Sequence, residues 1–494
     1  MPHQDRTDEI VVNHQTIKQV ADELLPKGIF RCFKARKDAA WKPRMVAVCA
    51  LLLVTGGKKT LSKRFEWARK ILKKVFRWHK ESGTSYQGFV KQLRKWHTEF
   101  MLTVPPHLQS RMQETLPGQW EVAGYVVFAG DGSRVELSRT RSLEAAFSPK
   151  KKPPRTKQKK QRSSAKTSKK AKAKVAAKKA AKQKSKPKPK AQSAESIAKK
   201  INSPQMWLTL LWHVGSGLPW DWRTGPSDSS ERGHLEEMLP KLPENSLITA
   251  DAGFVGYDFW STILDAGHNF VVRVGGNVKL IKDLGYARQH KHTVYLWPNK
   301  AAKRNQSPLV LRLIEVHDGK QPLYLVTNLL KSDLSDKQAA EIYKARWGIE
   351  LFFRTFKQTF GCRKLRSQTA ENAKWELDWS LIGLWCVCLL GEAELAASGT
   401  DPTRLSPAAA IDAFQDTVGN YRVRPESVEE NLWQRFRVAL LDDYERSSGK
   451  ASRNYPRKKQ RERMGPPKIT PATQQQIHAA KQLKAKGTQK RLTA

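Results

Sequence analysis

The sequence predicts an α/β protein: a mixed sheet with flanking helices, a β-rich insertion before the last helix of the core, and helical N- and C-terminal regions. Three observations carry this. Short β-rich runs at 125–137, 206–214, 246–250 and 269–274 enclose a helix-period stretch at 257–266, the alternation of a layered α/β core. Between Gly275 and Leu330 strand follows strand, in VKLIKD, TVYLW, LVLRLIEV and PLYLVTNLL, with polar turns between them. Helical spacing of apolar residues fills 31–97, 335–361, 375–397 and 407–418.

A chain of 494 residues with 39% hydrophobic content can bury a sizeable core, and its length suggests roughly two to four domains. The formal net charge is +44 and the pI about 10.1, an excess that points to a polyanionic partner, nucleic acid first. A membrane surface is the competing polyanion. The N-terminus MPHQDRTDEI is unlike a signal peptide, and the longest apolar run, Leu381 to Leu390, falls short of the roughly 18 residues a span needs. No membrane partner is expected. Five cysteines form no metal-ligand or disulfide pattern, and Cys386 and Cys388 lie inside that apolar run. They read as core thiols of a reducing compartment, the cytoplasm.

Residues 1–117 read as a helical region with basic faces, in which Phe65, Ile71, Leu72, Val75 and Trp78 can turn inward among exposed Lys and Arg. Such a region is either a DNA-binding domain or an ordinary solvated bundle. The GGKKT at 56–60 is not a phosphate loop, because it lacks the earlier glycine and has Lys59 where Ser or Thr must follow the lysine. The α/β core takes 118–147 and 201–274 and returns at 331–370. Its first strand run ends at Gly130-Asp131-Gly132, with 133–137 as an expected hairpin partner, so Asp131 is either a turn residue or an acid at a strand end. Residues 148–200, a Lys/Ala/Ser/Pro run, hold about half of the excess positive charge and are expected to be disordered and to bind phosphates without sequence preference. A second apolar strand, 246–250, ends on Asp251. Residues 275–330 are expected as an inserted β-rich subdomain, 371–445 as a helical C-terminal domain suited to self-association, and 446–494 as a basic, disordered tail.

The stretch SDKQAAEIYKARWGIELFFRTFKQTFG, 335–361, is the most informative. On one continuous helix Tyr343, Arg346, Glu350 and Lys357 fall within a stripe about 60° wide, beside an apolar stripe of Ile342, Ile349, Phe353, Phe356 and Phe360. The helix would be anchored by one face and offer the other. A carboxylate flanked by Arg, Lys and a Tyr hydroxyl suits a bound metal next to a phosphate, though from the stripe alone an exposed Arg346/Glu350 pair at i,i+4 is the favoured reading. Three carboxylates in the order Asp131, Asp251, Glu350, two at strands and one on a helix, favour the first reading. They make a constellation that binds two hard divalent cations, Mg²⁺ or Mn²⁺, for in-line phosphoryl transfer on a nucleic-acid backbone. Trp297, beside Pro298, is either a stacking platform for an unpaired base or a core aromatic. His290 and His292 lack a third ligand and are set aside.

The chain resembles the DDE transposases of insertion sequences, specifically the IS-four family with its Tyr-x2-Arg-x3-Glu-x6-Lys signature, which Tyr343, Arg346, Glu350 and Lys357 fit without a gap. The GDGS around Asp131 and the ADAGF around Asp251 are the other two blocks, and the resemblance spans 123–361. It implies an RNase H-like mixed sheet interrupted by a β insertion before the last catalytic helix. It implies Asp131, Asp251 and Glu350 as metal ligands, with Tyr343, Arg346 and Lys357 on DNA phosphates and Trp347 and Trp297 as candidates for holding a flipped base. It implies cleavage at terminal inverted repeats and transfer of the 3′ ends to target DNA, often through a hairpin, by a homodimer in a synaptic complex. Two alternatives stand beside it: a nonenzymatic basic DNA-binding protein, and an RNase H-fold nuclease or resolvase.

Overall fold

The computed structural model describes residues 16–36, 38–57, 60–76, 85–149, 204–318, 321–419, 431–442 and 465–485. Nearly all of the Lys-rich run at 148–200 lies outside them. A helical stretch at 16–24 comes first among the described residues, followed by α1 (Pro43–Thr55), α2 (Leu61–Val75), α3 (Tyr86–Lys95) and α4 (His97–Thr115). The hydroxyls of Thr60 and Ser85 accept the N–H of Lys63 and Gly88, capping α2 and α3.

The core follows as β1 (Val126–Glu136), α5 (Arg141–Phe147), β2 (Gln205–His213), β3 (Leu218–Gly225), α6 (Glu231–Met238), β4 (Ser246–Ala250), α7 (Tyr257–Asp265) and β5 (Asn269–Val274). Then come β6 (Lys279–Lys282), β7 (Thr293–Leu296), α8 (Asn299–Lys303), β8 (Leu309–Asp318) and β9 (Gln321–Thr327). The chain ends with α9 (Asp336–Ala345), α10 (Gly348–Arg354), a π-helical turn (Thr355–Thr359), α11 (Ala370–Ala397), α12 (Pro407–Gly419), α13 (Leu432–Arg437), β10 (Lys468–Pro471) and α14 (Gln474–Ala485).

The ten strands of the described residues join one mixed sheet in the order β10-β6-β7-β8-β9-β5-β4-β1-β2-β3. β1 runs antiparallel to β2 and parallel to β4, and β4 runs parallel to β5. Three expectations change here. The Gly-Asp-Gly stretch is not a hairpin turn: β1 runs straight through it, pairing with β2 from Phe128↔His213 to Glu136↔Gln205. The strands of 275–330 extend the same sheet, because β9 pairs antiparallel to β5. Part of the C-terminal tail, expected to be disordered, is ordered, with β10 parallel to β6 and α14 following it.

α11 is the buried hub, packed against α1, α4, α12, α13 and β3. It is apolar on every side, which marks a helix surrounded by protein. By length and composition it could cross a membrane, but 78% of its most apolar window is buried inside the fold. Two of its buried acids, Glu376 and Asp378, have buried partners. Glu376 accepts the backbone N–H groups of Arg366 and Ser367. Asp378 accepts Trp222 Nε1–H at 2.7 Å and lies 3.0 Å from His97 Nε2, so one carboxylate ties β3 to α4.

Replacing Asp378 with Ala strands these buried partners, and the loss of hydrogen bonds to a charged group is expected to cost about 2–4 kcal/mol in a urea unfolding experiment. An unchanged midpoint would show that the carboxylate does not hold the helices to the sheet.

Candidate active site

The register of β1 on β4 builds the site. The parallel pairing runs from Val126↔Ser246 to Ala129↔Thr249, and the same offset continued two residues sets Asp131 level with Asp251. Neighbouring strands lie about 4.8 Å apart, so the two aspartates arise side by side. β4 stops at Ala250 while β1 continues with β2 alone, where Asp131 faces Leu210. The strand end is therefore open between them. Each carboxylate accepts a local N–H, Asp131 from Gly132 at 2.8 Å and Asp251 from Gly253 at 2.7 Å.

Alternation along β1 sends neighbouring residues to opposite faces. Gly130 and Gly132 turn toward α6, where an added Cβ would stand 2.7 Å from Leu235 Cδ1 and 2.5 Å from Glu231 Oε1 respectively. Asp131 and Ser133 turn the other way. On that face Lys357 Nζ donates to Ser133 Oγ at 2.6 Å, which brings the signature helix over the aspartate.

That helix is not the single straight one that the spacing predicts. α9 ends at Ala345, Arg346 and Trp347 form a turn, and α10 starts at Gly348. Across the turn the bonds tighten to i→i+3: Trp347 N–H to Lys344, Ile349 N–H to Arg346, and Glu350 N–H to Trp347. The π turn at Thr355–Thr359 then loosens the helix around Lys357. The physical reason for the break is tertiary. Gly348 lies against the Trp212 ring, which a Cβ there would overlap. The apolar stripe still packs as expected, with Ile342, Ile349, Phe353, Phe356 and Phe360 all buried.

Arg346 is 8% exposed, and its guanidinium lies 5.3 Å over the Tyr343 ring. Its Nη2 lies 3.5 Å from Glu350 Oε1, while its buried Nε has no hydrogen-bond partner. Glu350 is thus Arg346's ion-pair partner in this structure, the relation that the sequence argument set aside in favour of a metal. The i,i+4 spacing survives the turn. Trp347, next in sequence, is 55% exposed and available to stack. Trp297 is not: it is buried, with Nε1–H donating to Gln306 O at 2.8 Å, so it is a core aromatic.

The electrostatics gather these groups into one field. Burial pushes the Asp131 carboxyl up to about 6, with Asp251 and Glu350 adding to the rise and the Gly132 N–H and Arg346 opposing it. Glu231, which the sequence shows only as part of an acidic first turn, belongs to the same field. Burial and then the charges of Asp131 and Asp251 raise it to about 7, against Arg134 and Arg232. Burial lowers Lys357, with Asp131 and Glu136 among the charges that hold it up.

The donor set is all carboxylate oxygen, the chemistry that suits Mg²⁺ or Mn²⁺. Among the described residues no three acidic, His or Cys side chains converge closely enough to hold an ion as they stand. Each aspartate accepts the N–H of a neighbouring glycine on Oδ1 alone, which leaves its other carboxylate oxygen to a cation. In donor type the three carboxylates suit a divalent cation.

Comparison with known proteins bears on the whole of this region. No curated protein matches the chain. Among solved structures it is similar to piggyBac transposase, in a synaptic complex with hairpin DNA, at 9% identity and a TM-score of 0.38, over 90% of this chain and 88% of that one. A likeness that loose transfers no residue. The family model for the transposase DDE domain matches residues 123–385, from just before β1 to the middle of α11 and more than half of the chain. It takes in Asp131, Asp251 and Glu350 together with the elements that hold them, and the chain belongs to the transposase DDE domain family.

Proposed function

We propose that this protein is an insertion-sequence transposase of the IS-four type, which binds terminal inverted repeats and performs metal-dependent strand cleavage and 3′-end transfer into target DNA. One observation carries the reading: the β1/β4 register sets Asp131 beside Asp251 under a helix that brings Glu350 and the buried Arg346 to the same face. The strand order β3-β2-β1-β4-β5, antiparallel across the first three and parallel thereafter, supports an RNase H-like core.

Asp131, Asp251 and Glu350 would hold Mg²⁺ or Mn²⁺. When bound, a pair of such ions activates a water or a 3′-hydroxyl and stabilises the leaving oxygen. The chain's own residues do the rest. Arg346 offers a buried guanidinium whose Nε is unpartnered, a donor suited to a phosphate oxygen. Lys357, on Ser133 beside Asp131, adds a point charge on the same face. Tyr343 supports Arg346 through its ring. Trp347, exposed next to the guanidinium, offers a stacking surface for an unpaired base. The Lys-rich run would add nonspecific affinity for DNA, and two copies of the chain would bring two ends together.

Asp131→Asn and Glu350→Gln are each expected to abolish Mg²⁺-dependent nicking of DNA ends, by more than about a hundredfold, while gel-shift affinity for the same DNA stays within about threefold. Full cleavage by either variant would refute the reading. Absence of nicking by the unsubstituted protein with Mg²⁺ or Mn²⁺ favours the nonenzymatic alternative, and cleavage with no joining of the 3′ end to a second duplex favours the nuclease.

Arg346→Ala removes the phosphate donor without touching the aspartates. It is expected to weaken binding to DNA ends by about tenfold and to reduce the slope of log affinity against log salt by about 1. An unchanged salt slope would mean that the guanidinium serves Glu350 alone.

A further inference from the structure

We propose that the cavity behind the signature helix is a binding site for a small apolar amine, whose ammonium group pairs with Glu392. The inference depends on neither the metal reading nor the transposase reading.

The cavity has a volume of about 290 Å³, close to the lower bound of roughly 300 Å³ for small-molecule sites. α10 lines it with Gly348 and Phe352, β2 with Trp212, and the stretch before α12 with Leu405. It therefore backs onto the contact between Trp212 and Gly348 that breaks the signature helix. α11 closes the far side with Leu384, Cys388 and Glu392, which at intervals of four residues share one face of that helix. Gly391 shapes the same wall: a Cβ there would stand 2.8 Å from Leu405 Cδ1, so Leu405 packs directly on α11.

Glu392 does not match the rest of this wall. It is 6% exposed, and its Oε2 is buried with no hydrogen-bond partner. Glu376 and Asp378, on the same helix, use their carboxylates to fasten other elements, whereas Oε2 of Glu392 fastens none. Burial keeps the proton on this carboxyl well above the usual carboxylate range. The other titratable or charged groups on the cavity are Cys388, whose thiol burial also holds protonated, and Arg354, which is exposed to water. Water is a poor occupant. An ordered water needs about two to four polar partners, and the hydroxyls of Ser216 and Thr403 are already committed, to His213 Nδ1 at 2.9 Å and Asp401 Oδ1 at 2.8 Å.

A carboxyl without a partner among apolar and aromatic walls defines its complement: an apolar body that fills the cavity, and one cationic N–H donor for the acid. A neutral apolar molecule would leave Oε2 unpartnered, and an anion would be repelled. The Arg354 charge stands in solvent, where its repulsion of an incoming ammonium is screened. Pairing with the ammonium favours the charged form of Glu392, so the acid gives up its proton to solvent as the amine binds.

The test is calorimetric titration of benzylamine into the full chain, without DNA or metal, at about pH 6, above the ordinary carboxylate range. Two buffers of different ionisation enthalpy report the proton balance. Binding is expected with release of about one proton per molecule bound. Benzyl alcohol, similar in shape but uncharged, is expected to bind at least about tenfold more weakly and to release none. Glu392→Gln resembles the protonated acid in shape and charge, so the fold is retained. It is expected to weaken benzylamine binding by at least about tenfold and to abolish the proton release. Any of three results overturns the proposal: no heat of binding up to about 10 mM benzylamine, equal affinity for the amine and the alcohol, or a change of less than about threefold in Glu392→Gln.

Discussion

Everything distinctive about this molecule depends on one register, that of β1 on β4. The pairs Val126↔Ser246 to Ala129↔Thr249 are buried, and a slip of one residue would turn every side chain of the pair to the wrong face of the sheet. A packed core therefore fixes, two residues further on, that Asp131 and Asp251 stand level. Two aspartates on adjacent strands repel each other, and burial makes the repulsion stronger. Burial is the main cause of the raised proton affinity of Asp131, and the conflict with Asp251 adds to it. The fold maintains it because Val127, Phe128, Leu247 and Ile248 are fully buried, and these apolar contacts do not depend on the acids.

The second support is α11. Helices that pack against the sheet need a common partner, and here a single apolar helix touches β3 and helices from the N-terminal and C-terminal parts of the described residues. Gly383 lets it approach α1 closely, since a Cβ there would meet Val54. Two of its buried acids, Asp378 and Glu376, act as fasteners that a purely apolar helix would lack. Asp378 fixes rotation about the helix axis by binding Trp222 on one side and approaching His97 on the other. Glu376 collects the N–H groups of the segment that leads out of the signature helix. These two bonds make α11 specific to one orientation, which hydrophobic contact alone does not provide.

The sequence made the carboxylates and the signature legible but hid their local geometry, and the reasons are particular. Gly-Asp-Gly has the composition of a turn, yet its glycines serve close approach: one admits Leu235 and the other Glu231, and both partners lie about a hundred residues downstream. The break at Arg346–Trp347 carries no proline. Its cause is Trp212, contributed by β2, which no spacing within 335–361 can reveal. Trp297 beside a proline reads alike as a platform or as core, and only the carbonyl of Gln306 decides for core. Glu231 looked like an ordinary acid favoured by the N-terminus of a short helix. Its companion signal, a glycine after the first aspartate, has meaning only once the two are known to touch. β10 was illegible for a similar reason, as an exposed four-residue strand gains its pairing from β6 rather than from its own composition.

The break in the signature helix also explains how one segment can hold groups of opposite exposure. Arg346 is buried and Trp347 exposed although they are adjacent, and the tight turn between α9 and α10 lets each be held separately. Arg346 rests on Tyr343, while α10 is fixed by Gly348 under Trp212 and by the stacked rings of Phe352, Phe356 and Phe360. None of these anchors uses the Glu350 carboxylate or the Arg346 Nε. The backbone that carries these groups is therefore held by contacts that do not involve them, while the Glu350 carboxylate itself rests 3.5 Å from Arg346 Nη2. The conformational entropy of ordering that backbone is lost when the chain folds, so a ligand that used these groups would keep more of its interaction energy as affinity.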